Sequence, residues 1–166
     1  IRTYDALRMP PRRELEPLVE LAARLAGVPT ATINIVTDTE QHQVVTVGFD
    51  GTVCRLEDSM CALTVREGRT VAVPDASLDR RFVRNPFVTG ELGRVRFYVA
   101  LPLMTADGVT IGTLCVFDEE PHDVDDGVLA GLATLAERVV DVFELRLRNR
   151  ELALSLMEIQ AVQAEL

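Results

Sequence analysis

RVRFYVALPLMTADGVTIGTLCVFD, residues 94–118, is the stretch around which the rest of the chain arranges itself. It holds two apolar runs, 96–104 and 109–117, separated by Ala106-Asp107-Gly108. Asp-Gly between apolar runs predicts a hairpin, because glycine accepts the positive φ that tight turns require. Strand alternation places Ile111, Thr113, Cys115 and Phe117 on one face, with Leu114 and Val116 on the other. Both faces are rich in apolar side chains, so cover is expected on both. Pro102 removes one ladder donor and predicts an edge or a bulge at that point. The hairpin thus reads as the centre of a sheet, with a pocket on one face and helices on the other.

Upstream, Leu15, Leu18, Val19, Ala22, Leu25 and Ala26 recur at helical spacing and predict a helix over 12–26, ended by Gly27. Residues 30–37 read as a strand rich in Ile, Val and Thr, and 43–47 as its return after a turn at Asp38-Thr39-Glu40. Residues 48–57 read as loop, 59–65 as a short helix capped by Asp58 or Ser59, and 69–73 as a strand stopped by Pro74-Asp75. Asp79 can cap a short helix through Phe82 and Val83 before Asn85-Pro86 breaks it. Downstream, a long helix is expected from about Val124. Val128, Leu132, Leu135, Val139 and Val142 form one apolar series, and Leu145, Asn149, Leu152, Leu156, Ile159, Gln163 and Leu166 form a second that starts out of phase. The first series suits packing on the domain. The second suits a parallel coiled coil with Asn149 and Gln163 at its seam, the alternative being an ordinary amphipathic helix end. This order of elements predicts an α+β domain with a mostly antiparallel central sheet. The expected divisions are a lead-in over 1–11, the domain over 12–144 and a signalling helix over 145–166.

The 166 residues suffice for one domain with its own core. A net charge of −9 argues against nucleic acid as the main partner. No apolar run approaches the ~20 residues of a membrane span, and no signal-peptide pattern is present. A cytoplasmic protein is expected, and a chain that begins at Ile1 reads as a segment of a longer one. All 17 basic residues other than histidine are Arg, which fits a GC-rich bacterial genome better than a demand for guanidinium at every position. The three cysteines, Cys54, Cys61 and Cys115, form no CxxC pair and suggest free thiols in a reducing compartment. With only His42 and His122 besides, both read as loop residues, no metal site is predicted.

An ordered set of segments carries a family resemblance along nearly the whole chain. It runs from Leu7-Arg8-Met9-Pro10-Pro11 through Leu21 to Pro29, the strand Ala31 to Val36, Ser59-Met60-Cys61-Ala62 and Val73-Pro74-Asp75-Ala76. The most specific part is Asp79-Arg80-Arg81-Phe82, Asn85-Pro86-Phe87-Val88-Thr89-Gly90 and Val95-Arg96-Phe97-Tyr98, completed by Ile111 to Asp118. On these residues the chain resembles a GAF domain, of the bacterial sensory subgroup often found ahead of diguanylate cyclase, histidine kinase or phosphatase domains. The resemblance implies terminal helices on one face of the sheet and short helices and loops over a pocket on the other. It implies a regulatory sensor that binds a small ligand or senses a redox cue. The signal would pass through a homodimer of the N- and C-terminal helices to an output domain outside this chain. The chain departs from the family pattern in places. Leu63 stands where His is frequent, and His42-Gln43-Val44-Val45 lacks the usual aromatic. The NKFDE-type motif of cyclic-nucleotide-binding members is absent, and Cys61 is followed by Ala62 rather than the His of many bilin-binding members. No cofactor is therefore predicted.

The expected ligand-facing set is Cys61, Arg81, Phe82, Asn85, Arg96 and Tyr98. Arg80, Arg81, Arg84, Arg94 and Arg96 form a cluster that suits either an anion clamp or structural pairing with Asp75, Asp79 or Glu91. Arg81 and Arg96 are the members expected to reach inward, since each precedes a Phe. Phe82, Phe97 and Tyr98 suit core or pocket wall, and a buried Tyr98 needs a partner for its hydroxyl. Cys115 reads as a small core residue. One enzyme branch of the fold, the free methionine-(R)-sulfoxide reductases, uses loop thiols near the position of Cys54 and Cys61. That likeness raises an alternative in which Cys61 attacks a sulfoxide and Cys54 resolves the disulfide, although the Gly-rich setting of that branch is missing. A ligand-free dimerisation module is the third reading.

Overall fold

The computed structural model describes residues 3–8 and 10–166; Ile1, Arg2 and Met9, part of the predicted lead-in, lie outside the described residues. After α1 (Thr3–Arg8) comes α2 (Arg12–Ala26), which ends at Gly27 in the left-handed region with φ 69°. The Gly27 N–H bonds back to the Ala23 and Arg24 carbonyls and satisfies the helix end as predicted. Strands β1 (Thr30–Val36), β2 (Glu40–Val47) and β3 (Val53–Arg55) follow, then α3 (Cys61–Glu67), β4 (Val71–Val73) and α4 (Pro86–Thr89). The hairpin is β5 (Phe97–Met104) and β6 (Thr110–Asp118), and α5 (Asp126–Glu165) closes the chain. The six strands form one antiparallel sheet in the order β3-β2-β1-β6-β5-β4, so β6 and β1 lie at its middle.

The hairpin turns at Gly108, whose φ of 81° only glycine adopts without strain, and the Thr105 N–H closes it on the Val109 carbonyl at 2.9 Å. β4 pairs only with Tyr98, Val99 and Ala100, so Pro102 sits beyond it, where the outer edge of β5 lacks a strand partner. A register shift at Leu103/Met104 changes one prediction. Leu103 pairs with Gly112 and Met104 with Thr110, leaving Ile111 as the extra residue, and it packs into the helix-side core instead of the pocket face. The expected loop over 48–57 contains β3, and β2 begins at Glu40 rather than Gln43. The predicted strand over 69–73 is limited to Val71–Val73.

One face of the sheet is closed by α2 and α5. Leu15 and Val19 of α2 and Leu132 and Val139 of α5 pack on Ile33, Ile35, Leu101, Leu114 and Val116, all fully buried. Each such side chain contributes about 1.5–3 kcal/mol through removal from water. The buried residues of α5 end at Phe143. The next residue, Glu144, accepts a 3.2 Å hydrogen bond from the Ala106 N–H of the hairpin turn. Beyond it Leu145, Leu152, Leu156 and Ile159 are exposed, and about 33 Å of helix continues past the domain.

Candidate functional site

The opposite face of the same strands carries Thr32 and Asn34 of β1 and Cys115 and Phe117 of β6, with Thr113 bonded to Asn34 beside them. With Gln41 and Gln43 of β2 and Tyr98 of β5, the first four floor a cavity of about 480 Å³. Met60 and Cys61 at the start of α3 form one wall, Phe49 and Phe87 others, and Asp50, Arg94, Asp118 and Glu119 stand among its lining charges. Thr32, Asn34, Gln41 and Thr113 are all buried. Buried polar groups require partners, and here they find them largely in one another and in sulfur.

Asn34 is the hub. Its Nδ2 lies 3.1 Å from the Cys61 Sγ, 3.3 Å from the Thr113 Oγ1 and 3.4 Å from the Cys115 Sγ, while its Oδ1 accepts from the Thr32 hydroxyl at 3.2 Å. The Cys61 Sγ is also 3.0 Å from the Tyr98 hydroxyl and 3.0 Å from the Cys115 Sγ. Thr113 Oγ1 lies 3.1 Å from the Cys115 Sγ. Burial alone would push the Cys61 thiol up, but hydrogen bonds from Cys115, Thr113, Tyr98 and Asn34 outweigh it and bring it down to about 7. Burial, together with charge on the neighbouring thiols, pushes the Tyr98 hydroxyl well above its ordinary value. It therefore stays protonated and available as a donor. Burial and the Cys61 neighbour push the Cys115 thiol up as well. The two thiols share one network, in which Tyr98 and Asn34 lie nearer to the Cys61 sulfur than to the Cys115 sulfur.

α3 is positioned by Ser59, whose Oγ accepts from the Ala62 N–H at 3.1 Å and whose hydroxyl donates to Gln41 Oε1 at 2.5 Å. The helix begins at Cys61 with Met60 at its cap, two residues later than predicted, and Ser59 performs the expected capping from one position further out.

Of the predicted ligand-facing residues, Cys61 and Tyr98 line this cavity. Arg81 and Phe82 line a separate concavity of about 1080 Å³, shared with Met60, Leu63 and Arg66. Arg81 is bound to Asp79 at 2.8 Å, lowers that carboxyl below its usual range through the hydrogen bond, and lies over the Phe82 ring. Phe82 packs edge-on against Tyr98 from behind, with ring centroids 5.5 Å apart. Asn85 caps α4 by accepting from the Phe87 N–H at 2.9 Å, and its Nδ2 donates to the Asp58 carbonyl at 3.0 Å. Arg96 donates to the Val88 and Val95 carbonyls, 2.9 Å each. Arg81, Asn85 and Arg96 are thus engaged in structural bonds, and of the five clustered arginines Arg94 is the one that lines the main cavity. Cys54 lies on β3, where its Sγ accepts from Gln41 Nε2 at 3.6 Å; burial and nearby Asp58 and Cys61 push its thiol up to about 11. The thiol in contact with Cys61 is Cys115, not Cys54.

Thr32, Asn34, Gln41 and Thr113 were not among the predicted site residues. The alternation of Thr30, Thr32 and Asn34 with Ala31, Ile33 and Ile35 is the local sign that β1 has a polar face.

Among the described residues, no helix is long and apolar enough to cross a membrane. The family model of the GAF domain matches residues 10–141. A cyclic di-GMP phosphodiesterase of Pseudomonas aeruginosa is 36% identical over 129 residues, which cover 78% of this chain and only 20% of that protein. The chain therefore spans about a fifth of the length of this relative. Among solved structures, the GAF domain of an Acinetobacter phosphoenolpyruvate-protein phosphotransferase superposes with a TM-score of 0.68 at 18% identity, covering 84% of this chain and 85% of that one. The type II free methionine-R-sulfoxide reductase of Thermoplasma acidophilum superposes with a TM-score of 0.65 at 13% identity, covering 80% and 91% of the two chains. With the sheet order, the paired helices and the family match in agreement, this chain belongs to the GAF domain family.

Proposed function

We propose that the chain is the sensor domain of a signalling protein, without catalytic activity of its own. Its cavity takes a small ligand or a redox cue, and α5 relays the result within a parallel homodimer to an output domain. The observation that carries this reading is the double use of one sheet. Adjacent residues of β1 and β6 line a cavity on one face and support α2 and α5 on the other. A change on the cavity side acts on strands that bear directly on the helix leaving the domain. The Pseudomonas relative, a cyclic di-GMP phosphodiesterase, exemplifies the kind of larger protein in which such a segment resides.

The dimer is tested with Leu152→Cys in a Cys-free background. Rapid disulfide or maleimide crosslinking between identical positions supports a parallel pair, and a strictly monomeric protein in solution sinks it. A ligand-dependent rise in melting temperature separates the sensor from a ligand-free dimerisation module. The reductase reading is favoured by a single observation, the Cys61 thiol brought down to about 7 beside a second thiol. A thioredoxin-coupled assay on free methionine-R-sulfoxide, with Cys61→Ser as control, decides it; turnover lost in the variant would replace the sensor reading.

A further inference from the structure

Cys61 and Cys115 come from elements 54 residues apart in sequence, yet their sulfurs lie 3.0 Å from each other on the wall of the cavity. Both are almost fully buried, at 3% and 1% exposure, so the cavity is their route to solutes. The two thiols belong to an apolar cluster with Val36, Val73, Phe82 and Ala100, and polar groups reach them there as well. These are an amide, a phenol and a threonine hydroxyl, all within 3.8 Å of one sulfur or the other. The third thiol, Cys54, is held apart on β3 against Gln41.

We propose that Cys61 and Cys115 are a two-electron thiol switch, oxidised to an intramolecular disulfide by a hydroperoxide that enters the cavity. The proposal deepens the sensor reading and rests on it for the consequence, while the chemistry stands on the sulfur geometry alone. The Cys61 thiolate attacks the terminal peroxide oxygen, the O–O bond breaks, and the alcohol or water departs after taking a proton. Cys61 becomes a sulfenic acid. The Cys115 sulfur then attacks the Cys61 sulfur, the S–S bond forms, and the S–O bond breaks, with hydroxide leaving as water on the Cys115 proton. Two thiols lose two electrons and two protons, and the hydroperoxide is reduced to an alcohol (or water) and one further water. A dithiol reductant reverses the step by exchange.

The roles follow from the surroundings. Tyr98 and Asn34 lie closer to the Cys61 sulfur, at 3.0 and 3.1 Å, than to the Cys115 sulfur, at 3.8 and 3.4 Å, which favours Cys61 as the nucleophile. Cys115 is fixed in the central strand β6, opposite Thr32 and Ala100 in the ladders, and resolves the sulfenic acid without leaving its place. Closing the sulfurs to the ~2.05 Å of a disulfide requires a movement of about 1 Å. The mobile partner is α3, of seven residues, rather than a strand bonded on both sides. Oxidation therefore draws α3 onto the sheet and narrows the cavity.

Wild-type protein treated with equimolar hydrogen peroxide, then alkylated under denaturing conditions and mapped without reduction, reads the step directly. The expected map links Cys61 to Cys115 within one chain, leaves Cys54 alkylated, and reverts with dithiothreitol. Cys115→Ser is expected to trap a dimedone adduct on Cys61, and Cys61→Ser to slow oxidation of Cys115 at least tenfold. Linkage through Cys54, linkage between chains, or sulfinic acid on Cys61 beside a free Cys115 would overturn the proposal, as would inertness to a hundredfold excess of peroxide. Should either variant misfold, the wild-type map alone decides. The map reports on sulfur whatever α5 does, and Leu152→Cys crosslinking in the Cys-free background reports on the dimer whatever the native thiols do. A failure of one is thus distinguishable from a failure of the other.

Discussion

Ile33 and Asn34 are neighbours on β1 and equally buried, at 0% and 2% exposure, yet they belong to opposite worlds of the same sheet. Ile33 pairs with Leu114 and packs under α2 and α5 in an aliphatic layer. Asn34 pairs with Thr113 and turns to sulfur, hydroxyl and open cavity. The helix face is held by area removed from water, which is non-directional and tolerates small shifts. The cavity face has an apolar cluster of its own, with Val71, Val73, Phe82 and Val88, and adds to it directed bonds around Asn34 that have one good arrangement each.

Substitutions on the two faces test the contrast. Leu114→Ala removes a fully buried side chain from the helix side and is expected to cost about 2–5 kcal/mol in urea denaturation. A loss below 1 kcal/mol would mean that the helix face is not the main support. Gly112→Ala comes next. A Cβ at that position would overlap the Asn34 carbonyl oxygen of the adjoining strand, so β1 and β6 must part where both faces meet. We expect a loss of about 1–3 kcal/mol together with slower Cys61 alkylation, because Asn34 is displaced. Asn34→Leu acts on the cavity face alone. It is expected to change stability by about 1 kcal/mol while lowering the Cys61 alkylation rate at pH 6 about tenfold, through a thiol pKa about one unit higher. Unchanged reactivity would remove Asn34 from the hub.

The smallest perturbation is pH itself. A thiol reacts as its thiolate, which forms as pH rises through the pKa. Cys61, brought down to about 7, should react with a small alkylating agent at a rate that climbs from pH 6 and levels above 8. Cys54, pushed up to about 11, should still be accelerating at pH 9. Stopped-flow labelling with peptide-level readout checks both; one shared profile for the two residues would remove the distinct setting of Cys61.

Much of the helix face could be read in advance because its signals are local. Leu15, Val19 and Ala22 repeat within one helix, Gly27 ends it, and Leu114 and Val116 alternate within one strand. The cavity face depends on register across strands. That Asn34 meets Thr113, and Cys61 meets Cys115, follows from pairings between segments far apart in the chain, which no single window contains. Cys115 accordingly read as ordinary core. Ile111 was misplaced for a related reason, since the bulge opposite Leu103/Met104 is a property of two strands together. β3 escaped notice because Val53–Arg55 is too short to show alternation. Among the arginines, Arg81 makes the structural pairing with Asp79 that the sequence offered, Arg96 is held by backbone carbonyls, and Arg94 lines the cavity, a division that no single window shows.

In the dimeric relay proposed above, Glu144 is the fulcrum. The hairpin turn holds α5 there through Ala106, one residue past the last buried side chain. The free arm beyond it measures about 33 Å, whereas the packed part moves only as far as a close-filled core allows. A tilt of about 5° at such a pivot carries the far end through about 3 Å, roughly half the pitch of a helical turn. Displacements too small to disturb Leu132 or Val139 become, at Leu166, steps large enough to change which residues of two neighbouring helices face each other. The length of the unsupported arm is therefore the gain of the device, and shortening it by whole turns would reduce the output in proportion.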